Sequence, residues 1–107
     1  MEPAAAFRVR EHERPGLEVR VNFGMLTGRE ATRAEIDHLA HALRGLAPSF
    51  EIVSEERHEF GGDSEASLHQ VVIEMASADD DVAIDVVRIA ERWARACYDE
   101  RHVDLDL

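Results

Sequence analysis

A chain of 107 residues has the length of one domain, and with 45% apolar but only 6% aromatic residues its core must be mainly aliphatic. Net charge is −11, from 23 acidic against 12 basic residues, all of them Arg; such a surface repels nucleic-acid phosphates and anionic membranes, so neither is an expected partner. The single Cys97 rules out an internal disulfide, no apolar run approaches the ~20 residues of a bilayer span, and the chain start lacks a signal-peptide pattern, so a soluble cytoplasmic protein is expected.

Residues 1–6 read as a flexible leader. Phe7-Arg8-Val9-Arg10-Glu11 alternates weakly and suggests a short edge strand, ended by Arg14-Pro15-Gly16. Leu17-Glu18-Val19-Arg20-Val21-Asn22-Phe23 alternates strictly, which predicts a strand with one buried and one wet face. Residues 24–30 contain two glycines and read as a loop. Thr32-Arg33-Ala34-Glu35 has the capping-box pattern, and Ile36, Leu39, Ala40, Leu43 and Leu46 follow at helical spacing, so a first helix begins there and ends near Gly45 and Pro48.

Residues 50–60 and 68–75 read as two strands joined around Gly61-Gly62-Asp63-Ser64, a hairpin. In a regular ladder Glu56 would point to the helix side, so either a bulge near residues 54–56 or an edge position open to water is expected. Asp79-Asp80-Asp81 places negative charge where a helix dipole favours it. The second helix then runs over about 80–100, with Val82, Val86, Ile89, Ala90, Trp93 and Cys97 as its apolar stripe. Val103-Asp104-Leu105-Asp106-Leu107 alternates again, as a short fourth strand beside strand one or as a tail.

The order βαββα(β), with one apolar stripe on each helix, predicts a single α+β domain in two layers. Both helices would cover one face of an antiparallel sheet, with the third strand between the first and second. This arrangement resembles the ferredoxin-like sandwich, an architecture that hosts many unrelated functions and so implies no activity.

That topology gathers Thr27, Arg29, His58, Phe60, His69, Tyr98, Arg101 and His102 at the end holding the glycine loop. Of these, Thr27, Arg29, His58, His69 and His102 are the candidate ligand-binding residues, because a helix start with arginines beside a flexible loop can hold an anion. One hairpin register sets His58 opposite His69, as half of a metal site or as a pH-sensitive pair. The bland reading of two exposed histidines at a hairpin tip weighs more, since no third and fourth ligand accompanies them. His38 and His41 lie three apart on the first helix but off its apolar stripe, which makes them surface residues. Gly24-x-x-x-Gly28 lacks the Lys-Ser/Thr of a phosphate loop and the third glycine of a dinucleotide fingerprint, and no cofactor is expected.

No nucleophile, general base or sheltered pair of carboxylates is visible, so a catalytic role is disfavoured. The uncovered sheet face would carry Glu18, Arg20, Asn22, Glu51, Val53, Glu55, Arg57, Glu59, Leu68, Gln70, Val72 and Glu74. Two copies could stack there or join at an edge strand to form a symmetric homodimer; a solvated face in a monomer is the competing expectation. The expected function is a non-catalytic, self-associating interaction or regulatory module. The alternative is a small-ligand, anion or metal-binding domain that uses the glycine loop and the hairpin tip.

Overall fold

A computed structural model of the protein describes residues 5–9, 16–47, 49–76 and 78–105. The chain is a mixed α+β fold. Strands β1 (Ala6–Val9), β2 (Leu17–Val21), β3 (Glu51–Gly61) and β4 (Ser64–Met75) form one antiparallel sheet in the order β1-β2-β4-β3. Helices α1 (Phe23–Thr27) and α2 (Arg33–Leu43) lie between β2 and β3, and α3 (Asp80–Leu105) follows β4.

Alternation in the sequence becomes alternation of burial. Leu17, Val19 and Val21 on β2, with Val71, Ile73 and Met75 on β4, are buried in one cluster with Leu39 and Leu43 of α2 and Val86 and Ala90 of α3. The two long helices therefore share one side of the sheet. The buried line of α3 runs through Ala83, Val86, Ala90, Ala94 and Cys97, while Val82, Ile89 and Trp93 pack at its margin. Small residues along that line let the helix axis approach the sheet closely, which is why the centre of the stripe lies one position away from the bulkiest residues.

Helix starts follow local chemistry. Thr32 Oγ1 accepts from the Glu35 backbone N–H at 3.2 Å, and Glu35 Oε1 accepts from the Thr32 N–H at 2.9 Å, so both bonds of the capping box are made. Asp79 caps α3 by accepting from the Val82 N–H at 2.8 Å. Arg8 of β1 pairs with Asp80 at 2.9 Å and ties the edge strand to the start of α3.

Several expectations need correction. The glycine segment is not simply a loop, because residues 23–27 form α1, and Phe23 is the first residue of that helix rather than the end of a strand. Gly24 makes this possible: a Cβ there would stand 2.8 Å from the backbone N of His69, so only a residue without one lets α1 lie on β4. Gly28 then ends α1 with φ 75°, donating its N–H to the Gly24 carbonyl at 2.8 Å. The strand or tail expected over 103–107 is helical as far as Leu105, because the place beside β2 is taken by β1; residues 106–107 lie outside the described residues. Of the expected leader, Ala5 and Ala6 are buried and Ala6 opens β1, while residues 1–4, like residues 10–15, lie outside the described residues.

The hairpin is longer than expected. Its ladder runs without a bulge from Glu51↔Glu74 to Gly61↔Ser64 around the two-residue turn Gly62-Asp63. β2 pairs with β4 only as far as Val21↔Val71, so past that row the hairpin continues as a two-stranded ribbon. Glu56 follows the regular pleat toward the helix side but sits on the outer strand with its side chain 47% exposed, so water reaches it.

Candidate functional site

The end of the sheet that holds α1 gathers the residues first expected to bind an anion, and the structure shows what each does there. Arg29 donates from both terminal nitrogens to the two carboxylate oxygens of Glu35, at 2.7 Å each. Its guanidinium also lies 5.3 Å from the centre of the Phe23 ring, and that ring is 5.1 Å from the ring of Trp93. Trp93 Nε1 in turn donates to the Glu35 backbone carbonyl at 2.7 Å. The hydrogen bonds from Arg29 hold the Glu35 carboxyl far below the usual range, at about 2, against the cost of burial; the Thr32 amide and the Cys97 thiol add to the effect. The same bonds push the Arg29 pKa up. These side chains form a clasp that locks α1 to α2 and α3, with the charge of Arg29 committed inside it.

Thr27 is likewise engaged locally: its Oγ1 donates to the Phe23 carbonyl at 2.8 Å. His69 packs its backbone and Cβ against Gly24 and stands opposite Glu56. His58 stands opposite Ser67, with Nδ1 3.1 Å from the Ser67 hydroxyl and Nε2 3.9 Å from Glu56. The register that would have set His58 against His69 is therefore not adopted; the turn closes at Gly62-Asp63, which shifts every pair by two residues along β4. His102 lies in the last turns of α3, and its side chain is outside the described residues. Among the described residues, no group of three His, Cys, Asp or Glu is placed to hold a metal ion.

The uncovered side of the sheet carries a second constellation. Cross-strand rows there are Glu18–Glu74–Glu51, then Arg20–Val72–Val53, then Gln70–Glu55, then Leu68–Arg57. Arg20 lies across β4: its Nε donates to Glu18 at 3.0 Å, and Nη1 reaches Glu55 on β3 at 2.6 Å and Gln70 at 3.1 Å. Gln70 passes the network on to Asn22 at 2.9 Å. Beside this bridge Val72 is only 2% and Gln70 only 6% exposed; Arg20 stands opposite Val72 and is hydrogen-bonded to Gln70. Burial opposes the charge on Arg20, but the bonds from Glu55 and Glu18 outweigh it and push its pKa up.

At the end of the sheet remote from α1, a surface cavity of about 310 Å³ opens between the start of β2 and the end of β4. Glu18, Glu51 and Glu74 line it, with Leu17, Phe50 and Met75 as the apolar wall. These three carboxylates share one cross-strand row, and Glu18 is also paired with Arg20 at 3.0 Å.

The outer strand β3 is the third feature. Among the described strands only β4 flanks it, so alternate residues point their backbone N–H and C=O groups away from the sheet with no described strand to receive them. Val53 and Phe60 are exposed on it, Phe60 at 76%. Arg57, also exposed, makes no ion pair among the described residues, whereas Arg8, Arg20, Arg29 and Arg95 each do.

Comparison with known proteins finds no family model, no curated relative and no solved structure that matches the chain. No helix among the described residues is long and apolar enough to cross a membrane.

Proposed function

We propose that this chain is a non-catalytic interaction module that self-associates through its sheet. The observation that carries this reading is β3: eleven residues long, with no described strand on its outer edge, and bearing an exposed Val53 and Phe60. An edge of that length offers main-chain hydrogen bonds to any strand that matches it. The open face is the weaker docking surface, since Arg20 on it is already bridged to Glu18 and Glu55 and stacking would strip water from that network. The order in which β4 separates β2 from β3 supports a ferredoxin-like description of the layer, with β1 standing where a C-terminal strand would otherwise pair. The single cysteine, which can form no disulfide within the chain, supports a cytoplasmic home. Light scattering of the full chain over a concentration series tests the reading. A mass rising from one copy to two is expected, and a monomer throughout the series would overturn it.

A second reading, a small-ligand domain, has one specific support. The cavity lined by Glu18, Glu51 and Glu74 suits a small organic cation with an apolar stem. The glycine-loop end is less suited to an anion, given that Arg29 is held by Glu35. Thermal melting against spermidine and against inorganic phosphate separates the two ends. A rise with spermidine alone supports the cavity, a rise with phosphate alone restores the loop, and a flat response to both at millimolar concentration removes the reading.

A further inference from the structure

Self-association through β3, the reading on which this inference rests, leaves open which residues meet. We propose that two copies pair antiparallel about a two-fold axis at Glu56, so that Glu55 of each copy stands opposite Arg57 of the other, and Ile52 opposite Phe60. Four observations lead there.

The first is backbone parity. Outward-pointing N–H and C=O groups alternate along β3, and a two-fold axis through a residue pairs positions of equal parity, so outward groups meet outward groups. Among such registers, the one centred on Glu56 uses the whole strand Glu51–Gly61. The second is charge. Arg57 makes no ion pair among the described residues, and Glu55 accepts from Arg20 through Oε1, at 2.6 Å. Centring on Glu56 brings the two together twice, once on each side of the axis. Centring on Glu55 sets two carboxylates against each other and puts Arg57 opposite Val53, so no opposite charges meet to offset the repulsion; centring on Arg57 opposes two guanidiniums. Opposite charges facing one another across a ladder stabilise it and like charges destabilise it, so the register is selected.

The third observation is apolar. Phe60 is the most exposed large apolar side chain described, and Ile52 lies partly buried at the rim of the core on the same face of the pleat. The register lays Phe60 of one copy over Ile52 of the other, where the ring leaves water. The fourth is space. β4 is the one described strand beside β3, so among the described residues no strand lies along its outer edge. The register has one adverse pair, Glu56 opposite Glu56, on the helix side. The charge of Glu56 on its own blunts the edge against unrelated strands, and the pair supplies a test that a merely structural role for these residues would not move.

Sedimentation equilibrium on the full chain and three variants reads the dimer dissociation constant, with circular dichroism to show that each variant is folded. Arg57→Glu turns two attractive pairs into two repulsive ones and weakens the dimer by about tenfold or more. Glu56→Gln removes the repulsion at the axis and tightens it by about threefold. The double variant Glu55→Arg with Arg57→Glu restores the pairs in reverse and recovers most of the affinity lost in the single variant. A dimer whose constant is the same in Arg57→Glu and Glu56→Gln overturns this register while sparing self-association; a wild-type monomer at every concentration overturns both.

Discussion

Phe23→Ala is expected to destabilise the protein by about 3–5 kcal/mol, a large part of the ~5–15 kcal/mol that holds a domain of this size together. Phe23 is fully buried, and its ring touches both the Trp93 ring and the Arg29 guanidinium, so the change opens a cavity and loosens two partners at once. Neither α1, at five residues, nor the clasp it carries has a helix ladder long enough to persist without that ring. Met25→Ala on the same helix is the control. Met25 is 56% exposed, and its loss is expected to shift stability by no more than about 0.5 kcal/mol. Urea titrations compare the two variants, and equal midpoints would show that α1 is not seated on the core.

What the sequence showed of this fold depended on how local the signal was. The strand at Leu17, the capping box at Thr32 and the acidic start of α3 each carry their own physical reason within four or five residues, and each appears where that reason places it. The same periodicity was misleading at Phe23: an aromatic residue in phase with Leu17, Val19 and Val21 looks like one more strand position. It took a tertiary fact, the approach of Gly24 to His69, to start a helix there. Residues 103–105 failed for a related reason. Alternation alone cannot tell that the site beside β2 has been filled by β1 from the other end of the chain.

The candidate site was legible in composition and not in pairing. Thr27, Arg29 and His69 do lie near α1, yet the carboxylate that takes both nitrogens of Arg29 is the capping-box Glu35, whose local role gave no hint of a second one. A hairpin register is set by the turn, and moving the turn by one residue exchanges every partner, which separates His58 from His69. The members of the open face were readable from alternation, because the ladder is continuous and its register differs from the expected one by two residues, which leaves each side chain on the same face. The bridge that Arg20 throws from Glu18 to Glu55 was not, since it depends on β4 lying between β2 and β3.

Glu35→Gln is expected to cost about 2–3 kcal/mol at neutral pH, because it leaves a partly buried guanidinium without its charged acceptor and weakens the cap of α2. The pH dependence carries the stronger test. The Glu35 carboxyl is held at about 2 in the folded chain, chiefly by the Arg29 hydrogen bonds, against 4.5 for an unperturbed group. A depressed folded value means that the unfolded chain takes up the proton first as pH falls. The stabilisation is therefore complete above about 4.5 and is lost progressively as pH drops toward 2. The difference in unfolding free energy between wild type and Glu35→Gln should be constant from pH 7 to 5.5 and shrink steadily below 4.5. Arg29→Ala should remove most of that pH-dependent part, since the Arg29 hydrogen bonds are the largest cause of the lowering and only the Thr32 and Cys97 bonds would remain. A wild-type minus Glu35→Gln difference that stays level through the acid range would show that the charge of Glu35 does not contribute to the clasp and that its capping bonds alone act there.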